Sequence, residues 1–275
     1  MNSWRRPRDL GEIVRGAWRL YTGNFTPLFL IALVTAPLQL LGVIVQRTAG
    51  EAVAATVSFF LIVPTIAVAL VAAGALVHAI HAVTGADPAD AGSALDAGLS
   101  RFADMLGTAF LLLAMVFLAL FAFPFLAIAW LARPDLRIDG RREWYFLVPL
   151  VLPAYLVLRW AFYPQAVMVE GARAWRALDL SADAVRHKWW RVLGITLVIG
   201  LLQAGPLLLA GAASVAPPLI EASVSSLITA LVLPFAIAAQ TLLYYDLKAR
   251  KFLDLSPPAV AAAEPDVQGE GPRDV

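Results

Sequence analysis

The chain has no cysteine and only three histidines, which excludes disulfides, thiolate metal sites and cysteine nucleophiles together. Charge is scarce as well: Asp, Glu, Lys and Arg make up 15% of the residues, against 60% hydrophobic. Several chemical signatures are also missing. There is no phosphate-cradling Gly-rich loop ending in Lys-Ser or Lys-Thr, no His-Glu zinc-protease pair and no Gly-x-Ser-x-Gly elbow. These absences predict a protein without catalytic machinery, cofactor or metal. Alternating apolar and polar segments of the kind a transmembrane barrel requires are absent too.

What remains is apolar sequence, with a mean hydropathy of +0.76. Six runs, at residues 25–45, 53–77, 106–131, 145–169, 192–212 and 223–244, match the roughly 20 residues a helix needs to cross a bilayer. Lipid offers no partner to a free N–H or C=O, so such runs must be helical. The expectation is an all-α polytopic membrane protein of about six transmembrane helices over residues 1–255. A disordered tail, rich in Pro, Ala, Glu and Asp, is expected over 256–275.

Every run contains proline: Pro37, Pro64, Pro124, Pro149 with Pro153, Pro206 and Pro234. Each removes one helical hydrogen bond and bends its helix. That shapes packing, and it can also open a cavity at the membrane midplane. A proton-driven pump would need a carboxylate there, and the runs supply none.

Orientation follows Lys and Arg. The first sixteen residues carry Arg5, Arg6, Arg8 and Arg15 without an apolar core, so a cleavable secretory signal is not expected there. With both termini on the cytoplasmic side of an inner membrane, sixteen of the twenty-one basic residues fall inside. Arg133, Arg137, Arg141 and Arg142 run against this assignment.

Ahead of the first, third and fifth runs lie segments with helical amphipathic spacing. The first aligns Leu10, Ile13, Val14, Ala17, Trp18 and Tyr21; the second Leu95, Leu99, Phe102 and Leu106; the third Trp175, Leu178, Ala182 and Val185. Each enters its run through an aromatic step, at Phe25, at Phe102 and at Trp189-Trp190. Aromatic rings favour the headgroup level. The layout predicts interfacial helices, each introducing a two-span hairpin, in a threefold repeat of uniform orientation.

Few residues suggest chemistry. His78 and His81 share a helix face, but a metal would need further ligands to converge on them. Arg159 can snorkel or pair with Glu170, and Gln39, Gln203 and Gln240 can bond between helices. Basic residues beside Trp175, Trp189 and Trp190 adjoin the spans, so they suit anionic headgroups of the bilayer rather than nucleic acid.

Four stretches together resemble the glycerophosphoryl diester phosphodiesterase membrane domain family. They are Leu10-Gly11-Glu12 leading to Leu20-Tyr21 and Asn24-Phe25; Pro164 with Val169-Glu170-Gly171; Trp189 to Gly194; and Leu243-Tyr244-Tyr245-Asp246-Leu247. The resemblance covers nearly the whole chain before the tail. It implies a stand-alone membrane domain, because the catalytic barrel fused to some relatives is absent and no histidine is followed by Arg-Gly. Within it Tyr21, Phe25, Phe102, Glu170, Trp175, Trp189, Trp190, Tyr245 and Asp246 form the candidate membrane-interface motif. The expected function is a noncatalytic scaffold that engages lipids or protein partners, with a small-molecule or lipid transporter, or a membrane subunit of one, as the alternative. An intramembrane enzyme acting on lipids is a third reading.

Overall fold

A computed structural model describes residues 7–131, 148–186, 188–212 and 217–255. The cluster at 133–142, His187 and the tail at 256–275 lie outside the described residues. Within them all regular structure is helical: α1 (Leu10–Gly23), α2 (Phe25–Leu33), α3 (Ala36–Thr48), α4 (Glu51–Thr84), α5 (Ala91–Ser100), α6 (Phe102–Leu131), α7 (Val148–Arg159), α8 (Tyr163–Glu170), α9 (Ala174–Val185), α10 (Trp189–Ala212) and α11 (Pro218–Leu255).

Among the described residues three helices are long and apolar enough to cross a membrane, in α4 (Glu51–Thr84), α6 (Phe102–Phe121) and α11 (Leu219–Lys251). The pair α2 and α3 makes a fourth if its 43° bend is counted within one span. The apolar run of α10, Trp189–Gly205, is shorter.

Proline does not act uniformly. Pro64 and Pro234 lie inside helices that continue through them, whereas Pro37 sits in the first turn of α3, just past the bend. Its ring cannot sit beside the carbonyl four residues back, so the helix is interrupted there. Thr35 secures the bend by donating its hydroxyl to the Ala32 carbonyl at 2.9 Å and accepting from Gln39 Nε2 at 3.3 Å.

The run at 145–169 is likewise broken, between Arg159 and Tyr163. A break frees backbone groups that must find partners wherever water is excluded. Ser181 of α9, fully buried, supplies them. Its Oγ accepts the Phe162 N–H at 3.1 Å and its hydroxyl donates to the Arg159 carbonyl at 3.1 Å.

In the bundle α11 packs against α1, α2, α3, α4, α9 and α10. Helices in lipid gain little from the hydrophobic effect between them, so close approach through small side chains replaces it. The buried faces accordingly carry Ala72, Ala75 and Ala79 on α4 and Ala236, Ala238 and Ala239 on α11. A Cβ added to Gly98 of α5 would lie 2.6 Å from the Val71 carbonyl oxygen of α4, so only glycine allows this contact.

Two of the three amphipathic helices, α1 and α9, depart from the expectation that their apolar faces lie against lipid, whereas Leu99 and Leu106 of the second segment stay exposed. Ile13, Ala17 and Tyr21 of α1 are buried in the main core with α11, and Ala177, Leu178, Ala182 and Val185 of α9 are buried as well. These faces close the bundle by packing on neighbouring helices, α1 on α11 and α9 on α6, α8 and α11. On α1 and α9 edge residues stay exposed, among them Trp18 and Trp175, each 56%.

Candidate functional site

The last turns of α11 carry an unbroken buried stretch, Thr241 to Leu247, followed by the exposed Lys248. Within it Asp246 has no exposure at all. A carboxylate in that position is tolerable only if it is paired and its lone pairs are filled.

Three groups fill them. Arg191, in the first turn of α10, brings Nε and a terminal nitrogen to Oδ2, each at 3.1 Å. Arg250, one turn further along α11, places its Nε 3.1 Å from both carboxylate oxygens. The backbone N–H of Arg8 donates to Oδ1 at 2.6 Å. Both guanidiniums also donate to the Arg8 carbonyl, Arg250 at 3.0 Å. The peptide just ahead of α1 is thus held from both sides. One carboxylate and two guanidiniums leave this lock with a surplus positive charge.

Neighbouring side chains of α11 extend the lock in other directions, since successive residues on a helix point about 100° apart. Tyr244 donates its hydroxyl to Glu170 at the end of α8, and Lys248 reaches the same carboxylate at 2.6 Å. Tyr245 shares a hydrogen bond of 2.6 Å with Nδ1 of His81 on α4. Lys251 pairs with Asp183 of α9. Through these contacts two and a half turns of α11 tie together the lead to α1 and the helices α4, α8, α9 and α10.

Gly171, directly after Glu170, has φ +65 and closes α8 by donating its N–H to the Val167 carbonyl, while Ala172 donates to Ala166. The left-handed conformation favours glycine. The Arg101 guanidinium also lies 3.2 Å from where a Cβ would stand.

Of the residues expected at the membrane-interface motif, Glu170, Tyr245 and Asp246 belong to this lock, and Trp189 opens the helix that delivers Arg191. Tyr21 and Phe25 form a separate aromatic contact, with rings 5.4 Å apart, where burial raises the Tyr21 phenol above its ordinary value. Phe102 is partly buried beside Met105, and Trp175 and Trp190 point outward, 56% and 79% exposed.

Arg159 does not pair with Glu170. Its guanidinium donates to the Tyr155 hydroxyl at 3.0 Å, because Lys248 and Tyr244 already occupy the carboxylate. His81 is engaged by Tyr245, and no group of three or more metal ligands occurs among the described residues. No local pattern marks Arg8 as part of this site, whereas Arg250 stands four residues after Asp246 and Lys248 four after Tyr244, each pair on one helix face.

Two basic clefts flank the lock. One, of about 740 Å³, lies between α7, α9 and the start of α10 and includes Arg159, Arg176, Arg186, Asp179 and Asp183. The other, of about 520 Å³, lies between α1 and the end of α4 and includes Arg8, Arg15, Arg19 and Glu12. At the opposite end of the bundle Arg47 pairs with Glu221 at 3.0 Å. A third cleft, of about 460 Å³, opens between α3 and α4; it is lined by Gln39 but by neither Gln203 nor Gln240. Compared with known proteins, the chain matches no family model, no curated protein and no solved structure.

Proposed function

We propose that this chain is a noncatalytic inner-membrane domain of six spans that uses its basic end, on the cytoplasmic side, to engage anionic lipid headgroups and recruit partners to them. The observation that carries the reading is the outward position of Trp175 and Trp190, on the same end as the two arginine-lined clefts. Exposed indoles beside basic residues match the headgroup level of an anionic leaflet.

The element order supports three units, each an amphipathic helix followed by a hairpin: α1 with α2/α3 and α4, α5 with α6 and α7/α8, α9 with α10 and α11. In this reading the bent pair, the broken pair and α10 are spans alongside α4, α6 and α11. The lock at Asp246 joins residues from three of the four stretches that carry the resemblance to the glycerophosphoryl diester phosphodiesterase membrane domain family. We assign them a common structural task there, which is to hold the basic end rigid.

Reconstitution into nanodiscs of phosphatidylcholine with increasing phosphatidylglycerol tests the reading. Thermal stability should rise with the anionic fraction, and the double substitution of Trp175→Ala with Trp190→Ala should flatten that rise. A stability independent of lipid charge would refute a headgroup-engaging function.

A further inference from the structure

The larger basic cleft differs from an ordinary charged surface in its composition and in where it leads. Its wall holds three guanidiniums, Arg159, Arg176 and Arg186, against two carboxylates, Asp179 and Asp183. Asp183 is already neutralised by Lys251, so three cations face the remaining Asp179. An ionised carboxylate can only accept hydrogen bonds. The cleft therefore favours one phosphate together with a donor such as a hydroxyl or ammonium, and disfavours a second phosphate charge beside Asp179. Its volume of about 740 Å³ lies within the range of small-ligand pockets.

At the base of the cleft the rings of Tyr155 and Trp189 lie 6.2 Å apart and bridge α7 to α10. From there the exposed surface turns apolar. Arg159, Tyr155 and Leu152 share one stripe of α7 at spacings of four and three residues, and Tyr155 and Leu152 are both exposed. On the adjoining α10, Trp190, Leu197 and Leu201 continue an exposed apolar face. A charged cleft that opens onto an apolar track matches the two halves of a lipid.

We infer that the cleft between α7, α9 and α10 is a binding site for a phospholipid with a singly charged phosphodiester and a hydrogen-bond donor in its headgroup. The phosphate is held by Arg176 and Arg186 with Arg159, the donor by Asp179, and an acyl chain runs along α7. The inference rests on the proposed headgroup-engaging function and narrows it to one site and one class of lipid.

Native mass spectrometry of the full chain in detergent tests it, with phosphatidylglycerol, phosphatidylcholine and phosphatidic acid offered at equal concentration. Wild-type protein should retain phosphatidylglycerol in preference to both others. Arg176→Gln with Arg186→Gln should reduce that retention about tenfold or more, since two charge-assisted contacts are lost. Arg47→Gln, at the opposite end of the bundle and outside both basic clefts, should leave it unchanged. Asp179→Asn should shift the preference toward phosphatidic acid.

These exposed side chains can be exchanged without disturbing the core, and unchanged thermal unfolding confirms it for each variant. Undiminished phosphatidylglycerol retention in the Arg176/Arg186 variant would overturn the site while leaving the broader function standing. Equal retention of all three lipids by wild type would overturn both. Displacement of the lipid by millimolar inorganic phosphate would identify a soluble anion as the ligand and overturn the lipid assignment.

Discussion

At Asp246 two guanidiniums and one backbone amide converge on a carboxylate that water does not reach. Removing one member of a buried ion pair costs about 3–5 kcal/mol, because the partners stay behind uncompensated. Arg191 and Arg250 keep 27% and 25% of their side chains exposed, so they can partly rehydrate, and Asp246→Ala should cost about 3 kcal/mol. Unfolding in a denaturing-detergent titration measures it, and a variant as stable as wild type would remove the lock from the account. Asp90 offers a gentler case. Its carboxylate caps α5 by accepting the Ser93 N–H at 2.7 Å, which lowers its pKa below the ordinary carboxylate value. A depressed folded-state value means this contribution is present above the ordinary carboxylate range and fades as pH falls through it. Asp90→Asn should flatten that acid limb in thermal unfolding followed against pH, while Asp90→Ala should also lower stability at neutral pH.

Elements are held by what fills their breaks and by what keeps their surfaces small. The interruption between α7 and α8 depends on one hydroxyl of a third helix. Ser181→Ala leaves a buried N–H and a buried C=O without that partner and should destabilise the fold by about 1–3 kcal/mol. Ser181→Thr keeps the hydroxyl and serves as the control for chemistry as against volume. Gly98→Ala examines the opposite demand. Its new methyl would meet backbone of α4, which cannot rotate away as a side chain can, so overpacking of about 1–3 kcal/mol is expected. Gly107, with nothing within 4 Å of its Cβ position, should accept alanine without loss when both variants are unfolded side by side.

On the scale of the whole molecule, the Asp246 lock and the two basic clefts gather at one end, while Arg47 and Glu221 pair at the other. The proposed orientation places the first end in the cytoplasm. Because the chain has no cysteine, single cysteines introduced for Arg15 and for Arg47 carry no background. A membrane-impermeant maleimide added to intact cells should label Arg47→Cys and spare Arg15→Cys until the membrane is opened. The reverse pattern would invert the topology and move the basic clefts to the outer leaflet.

The helical class and an apolar solvent were legible in the residues alone, because runs of about 20 apolar residues leave the backbone no other way to satisfy its hydrogen bonds in lipid. The stretches that carry the family resemblance also placed Glu170, Trp189, Tyr245 and Asp246 among the residues of interest. Periodicity marked the apolar faces of α1 and α9 without revealing their partner, as lipid and protein interior are equally apolar. Tertiary structure decided that these faces close the bundle. It decided too that Pro37 marks a bend between α2 and α3 while Pro64 and Pro234 leave α4 and α11 continuous, and that Ser181 repairs a break 19 to 22 residues away. Above all, it decided that Asp246 meets Arg8 across 238 residues of chain. Pairing of that kind depends on where helices come to rest against one another, and a local pattern of residue types carries no record of it.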